Sequence, residues 1–131
     1  MQQHAGLLFL SKKTAKVFLI LEYDKWTLPT FVRKDTLLND AQHLLAKYSQ
    51  GKIVPIELYL SEDKGFEFGT YICLVDNEFV IYDEITFCWA NLSTLPKQLH
   101  TGLKTTLNNQ IIRTKIETIL ELEHDIYSKT S

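Results

Sequence analysis

"WTLPTFVRKDTLLNDAQHLLAKYSQG", residues Trp26 to Gly51, is the stretch on which the reading of this chain turns. An apolar, strand-length run from Val17 to Tyr23 leads into Trp-x-Leu-Pro, and a short loop follows Pro29. From Asp35, a residue suited to cap a helix, Leu37, Ala41, Leu44, Leu45 and Tyr48 recur at helical spacing. Gly51 lies where a left-handed C-cap is wanted. No glutamate occurs between Pro29 and Gly51, and within the expected helix the one acid is Asp40.

Outward from this stretch, strand and helix signals alternate. Ala5 to Ser11 and Val17 to Tyr23 read as strands joined by the polar connection "SKKTAK", which suits a hairpin, and Trp26 to Pro29 adds a short strand. Ile53 to Leu60 is another strand, followed by the turn "SEDKG", the strand Phe66 to Val75, the turn "DNE", a short strand near Phe79 to Tyr82, and Ile85 to Ala90. After "NLSTLP" the pattern becomes helical. Leu99, Leu103, Leu107 and Ile111 are spaced by four, and Ile112, Ile116, Ile119 and Leu120 carry a similar stripe on, with Asn108–Asn109 as a break between two helices.

Composition bounds the rest. With 131 residues, 45% hydrophobic and 11% aromatic, the chain suits one domain, 1–131, with a substantial core. A net charge of -2 without a basic cluster argues against nucleic acid as a partner. No run approaches the roughly 18 consecutive apolar residues of a membrane span. "MQQHAGLLFLS" lacks both a basic lead-in and a small-residue cleavage site, so the reading is no membrane and a cytoplasmic location. Cys73 and Cys88 sit in apolar strand-like runs and read as reduced core residues.

Taken in order, these segments resemble the Nudix hydrolase superfamily. "AGLLFL" is similar to its opening strand, "KVFLILEYDKWTLP" to its second strand and Trp-x-Leu-Pro lead-in, and "ITFCWANLSTLPKQLHTGLK" to its late strand, tryptophan, Leu-Pro and closing helix. The likeness spans roughly residues 5–107, leaving 108–131 as a C-terminal helical extension. It implies an α/β fold, a Nudix-like α/β/α sandwich around a mixed β-sheet with C-terminal helices, in which the helix after the Leu-Pro loop faces a substrate cleft.

In that family the helix carries Gly-x5-Glu-x7-Arg-Glu-U-x-Glu-Glu-x-Gly-U, with U aliphatic, whose glutamates hold a divalent metal against a diphosphate. Hard Mg²⁺ or Mn²⁺ needs several anionic oxygens on one face to offset phosphate charge and activate water. With Gly51 at the last glycine, Thr36 stands at the first glutamate, Leu44 and Leu45 at Arg-Glu, and Tyr48 and Ser49 at the paired glutamates. None of these replaces a carboxylate. Each apolar side chain buried there contributes about 1.5 to 3 kcal/mol by leaving water, so the expected outcome is a metal site turned into core.

Two functions follow from the resemblance. The first is a non-catalytic Nudix-like domain that binds a nucleotide-type ligand or a protein partner and needs no cofactor, with a homodimer compatible with the sequence. The alternative is a Mg²⁺- or Mn²⁺-dependent hydrolase of nucleoside diphosphate derivatives using relocated acids such as Glu67 or Glu84. For the ligand site, Arg33 and Lys34 form the adjacent basic pair in the loop before a helix whose N-terminal amides also favour anions. Tyr71 either stacks a base or is buried, and Asp83 either accepts from a ribose or caps a turn. His4, His43, His100 and His124 show no metal-ligand spacing and read as solvent-exposed. Trp26 and Trp89 read as core residues that anchor the sheet.

Overall fold

The computed structural model describes residues 2–34, 36, 39–40, 43, 56–63, 66–81 and 84–130. Seven strands among them form one mixed sheet: β1 (Gln2–Ser11), β2 (Lys16–Glu22), β3 (Lys25–Thr27), β4 (Thr30–Val32), β5 (Ile56–Asp63), β6 (Phe66–Val75) and β7 (Phe87–Asn91). Two helices close the chain, α1 (Thr101–Asn108) and α2 (Gln110–Thr130). Among the described residues no helix is long and apolar enough to cross a membrane.

β1 is the axis of the sheet. It pairs in parallel with β6 along its whole length, from Gln2↔Phe66 to Ser11↔Val75, while β5 runs antiparallel on the far side of β6. On its other edge β1 is shared. Its C-terminal half pairs with β2, at Leu10↔Val17, and its N-terminal half pairs with β4, from His4↔Val32 to Gly6↔Thr30. The chain crosses between these partners through Leu28 and Pro29, with Leu7 N donating to the Pro29 carbonyl at 2.9 Å. β2 is shared in the same way, taking β7 along Lys16 to Ile20 and β3 along Ile20 to Glu22.

Side chains alternate across this sheet. On one face Leu8, Leu10, Val17, Leu19 and Ile72 pack with Leu28, Leu99, Leu103, Leu107, Ile112 and Ile116, so both helices lie on that face. On the other, Ala5, Leu7, Phe9, Phe18, Ile20, Tyr71 and Cys73 pack with Phe31, Phe79, Ile81, Ile85, Phe87 and Trp89. Cys73 and Cys88 belong to opposite faces and are both free thiols. Trp26 and Trp89 are half-buried, one against each core, as expected of sheet anchors.

Several sequence expectations shift. The strand β5 runs on through Ser61 to Asp63, pairing up to Asp63↔Phe66, where the turn "SEDKG" was expected to begin. No strand forms over Phe79–Ile81. There the Phe79 ring packs against Phe18 at 4.7 Å and Trp89 at 5.0 Å, and its carbonyl accepts from Trp89 Nε1 at 2.9 Å. A side chain takes the place of a ladder partner. The stripe of fours also breaks where the sequence carries Asn108–Asn109: Leu103 and Leu107 are buried on α1, whereas Ile111 is 71% exposed and Ile112 and Ile116 take over on α2. Asn109 caps that second helix, its Oδ1 accepting from Ile111 N at 2.9 Å and Ile112 N at 3.3 Å.

Of the Asp35–Ser49 helix, most residues lie outside the described ones. Thr36 Oγ1 accepts from Asn39 N at 3.2 Å, and Asp40 N donates to the Thr36 carbonyl at 3.0 Å, while Asp35, the expected cap, lies outside the described residues.

Candidate functional site

The divided edges of β1 and β2 create a recess. Where β2 and β4 part, α1 stands over the gap, and a cleft of about 750 Å³ opens on the helical face. Leu28, Leu103, Ile112 and Phe68 give it apolar walls, and the buried Thr70 and the exposed Thr30 line it together with Glu22, Tyr23, Lys25, Thr27, His100, Thr105, Thr106 and Asn109. Thr30 and Thr70 both pair with Gly6, from β4 and β6. A Cβ at Gly6 would meet Phe68 Cζ at 3.1 Å and Leu28 Cδ1 at 3.5 Å, so glycine there lets the two apolar walls converge on the backbone.

The wall formed by α1 is unlikely on propensity alone, because "TGLKTTLN" has three threonines and a glycine in eight residues. Packing and capping hold it instead. Leu103 and Leu107 are buried, and His100 Nδ1 accepts from Gly102 N at 3.2 Å. That bond fixes the tautomer. With Nδ1 as acceptor, the ring proton resides on Nε2, which is left as a donor. The hydroxyls of Thr105 and Thr106 donate back to the Thr101 and Gly102 carbonyls at 3.1 and 3.0 Å. β3 is laced to the same wall, with Trp26 N donating to the Gln98 carbonyl at 2.7 Å and His100 N donating to the Trp26 carbonyl at 2.8 Å.

The residues singled out from sequence are dispersed. Arg33 and Lys34 directly follow β4, three and four residues beyond Thr30. Arg33 is half-buried, its N donates to the Gln3 carbonyl at 2.8 Å, and its Nε is buried with no hydrogen-bond partner among the described residues. Lys34 is exposed, and its N donates to Asp40 Oδ2 at 3.0 Å. Tyr71 takes the second of its two expected roles. It is 6% exposed in the core of the face opposite the cleft, its ring lying 2.7 Å from where a Cβ on Gly69 would stand. Asp83 lies outside the described residues.

Neither relocated acid lines the cleft. Glu67 is half-buried and its Oε2 accepts from Gln3 Nε2 at 3.3 Å, and Glu84 is exposed in the segment before β7. Among the described residues no three His, Cys, Asp or Glu side chains converge as a metal site. Among the described residues of the stretch from Thr30 to Gly51, the one carboxylate is Asp40. Leu44, Leu45, Tyr48 and Ser49 stand outside the described residues, but their side chains carry no carboxylate, and the Asp40 carboxylate accepts from a backbone amide of the preceding loop. His43 is exposed as expected, whereas His4 is half-buried on β1 rather than solvated, since its pairing with Val32 and Phe68 places it inside the sheet.

Sequence reasoning missed most of the cleft. The β2–β3 turn "EYDK" lacks the Asn-Gly or Asp-Gly signature of a tight hairpin, and Thr30, Thr70 and Asn109 carry no motif of their own.

A mixed sheet built on a parallel β1–β6 pair, with a divided central edge and closing helices over one face, is the fold of the Nudix hydrolases. The chain is similar to a solved Nudix hydrolase from M. smegmatis, at 18% identity over 89% of this chain and 87% of that one, with a TM-score of 0.67. It is also similar to the E. coli dihydroneopterin triphosphate pyrophosphohydrolase, at 9% identity over 85% and 95% of the two chains and a TM-score of 0.64. An ADP-ribose pyrophosphatase from Streptococcus suis matches at 14% identity over 89% and 90%, with a TM-score of 0.62. No family model matches the sequence, and no curated protein does. At these identities the likeness is one of fold.

Proposed function

We propose that this chain is a non-catalytic Nudix-fold domain that binds a nucleotide-type small molecule in the cleft under α1. The observation that carries the reading is the cleft itself, about 750 Å³ with apolar walls and a polar rim, a size and lining that suit a ring-bearing ligand. Structural neighbours named for dihydroneopterin triphosphate and ADP-ribose lend support, both being ring-bearing phosphate compounds. Lys34, exposed just beyond β4, supplies the phosphate end, whereas Arg33, opposite Gln3, shares the face of Phe31 and Tyr71, away from the cleft. From Thr30, in the lining of the cleft, four residues of extended chain span about 13 Å to Lys34 on the same face, within reach of a nucleoside diphosphate. Tyr71 and Asp83 have no part in this reading, the first being core and the second outside the described residues. The lack of turnover is argued from the absent box carboxylates.

The test is calorimetric titration of the whole chain with ADP-ribose and nucleoside triphosphates, before and after Lys34→Ala. Binding that weakens at least about tenfold in the variant supports the reading. No heat at millimolar ligand, or an unchanged affinity in the variant, overturns it in favour of a protein partner.

A further inference from the structure

The β2–β3 hairpin turns through Tyr23 and Asp24, both in the left-handed region with φ 50° and 62°. A two-residue turn of this hand needs positive φ at both central positions, which is why asparagine, aspartate and glycine usually fill it. Aspartate fits there. A tyrosine crowds its Cβ against the following carbonyl, and packing does nothing to offset the strain, because the Tyr23 side chain is 98% exposed. Tyr23 is also among the residues that line the cleft. Its arm is fixed, since the backbone bonds of Trp26 to Gln98 and His100 tie the hairpin to the start of α1. The turn therefore holds an aromatic ring, unpacked and strained, at the mouth of an apolar recess.

We infer that Tyr23 is a stacking residue of the cleft, its ring covering a planar heteroaromatic ring that enters between Leu28 and Leu103. This rests on the reading of the cleft as a nucleotide-type site. Stacking suits the chemistry: the walls are apolar, and His100 Nε2–H in the lining is a donor for a ring nitrogen or carbonyl. The backbone strain in the empty turn is then the cost of presenting the ring where a ligand needs it.

The experiment titrates the whole chain, as wild type, Tyr23→Ala, Tyr23→Phe and Tyr23→Asn, with ADP-ribose and with ribose 5-phosphate, which lacks the heteroaromatic ring. Tyr23→Ala and Tyr23→Asn are expected to weaken ADP-ribose about tenfold, Tyr23→Phe by less than about twofold, and the preference for ADP-ribose over ribose 5-phosphate to shrink by the same factors. Tyr23→Asn is also expected to raise Tm, because asparagine accepts positive φ, which separates lost stacking from a damaged fold. Wild-type affinity for ADP-ribose in Tyr23→Ala, or an equal loss for both ligands, overturns stacking while leaving the cleft reading standing. A wild-type chain that binds no ADP-ribose at millimolar concentration overturns both.

Discussion

Arg113, on α2, donates from Nη2 to the carbonyl of Leu92 at 2.7 Å. Its Nε donates to the carbonyl of Leu107, in the last turn of α1. One guanidinium thus joins the loop after β7, the end of α1 and the first turn of α2, and fills in Leu107 a carbonyl of the kind that a helix terminus leaves without an intrahelical partner. The wall of the cleft is held from behind.

Replacing that fork removes two charge-assisted bonds to half-buried carbonyls. Arg113→Met is expected to lower stability by about 2 kcal/mol, and Arg113→Lys to recover less than half of it, since a single ammonium cannot reach both carbonyls with the planar geometry of the fork. Urea unfolding of the two variants measures both values.

Asn109 does two jobs at the α1–α2 junction: its N–H donates to the Thr106 carbonyl at 3.2 Å, and its side chain caps α2. Asn109→Ala keeps the first and loses the second, at an expected cost of about 1 kcal/mol. Asn109→Asp keeps an equivalent acceptor and places a negative charge at a helix N-terminus, so its Tm should stay within a few degrees of wild type. A drop in Asn109→Asp as large as in Asn109→Ala would show that the amide serves the cleft or α1 rather than the cap.

How much of this was legible in the sequence depends on the range of the signal. β1, β2 and β6 were clear because both of their faces are buried, so their apolar runs are continuous and name the strand without a partner. The break between the closing helices was legible because Asn-Asn is a local cap signal. β4 was not: Thr30–Val32 is three residues long, and it becomes a strand only because the divided edge of β1 lies beside it. The same holds for the cleft, whose walls come from β2, β3, β4, β6 and both helices. Arg33 and Lys34 were found because adjacent charge is a sequence property. Tyr71 was left between two roles because periodicity gives a strand residue its face without saying what covers it.

Burial pushes the Cys73 thiol up to about 12 from 9.0, and burial also raises Cys88. For an acid whose folded pKa is raised, the stabilising contribution is complete below the unfolded pKa and is lost as pH climbs through the folded one, because the unfolded chain releases its proton first. Between pH 9 and pH 12, stability should therefore fall with a Cys73 contribution approaching about 1.4 kcal/mol per pH unit. Cys73→Ala is less stable than wild type at neutral pH through the space it leaves, but its decline above pH 9 should be shallower. Parallel slopes for the two proteins, followed by denaturant unfolding, would mean that Cys73 ionises as freely in the folded chain as in the unfolded one.

The last prediction concerns turnover. With residues 36–49 read as the counterpart of the Nudix helix, their lack of glutamate leaves nothing there to bridge metal and diphosphate or to position the attacking water, a loss worth several kcal/mol of barrier. With excess Mg²⁺ or Mn²⁺, ADP-ribose, nucleoside diphosphate sugars and nucleoside triphosphates should be recovered intact after prolonged incubation. On the proposed reading, binding of ADP-ribose should be the same with EDTA as with metal, because Lys34, rather than a cation, would meet the phosphates. Phosphate-release assays and calorimetry read the two halves of this statement separately. Metal-dependent turnover that disappears in Glu67→Gln or Glu84→Gln would move the chemistry to acids outside the helix and make the chain a hydrolase. Metal-dependent binding without turnover would leave it non-catalytic while removing Lys34 from the phosphate end.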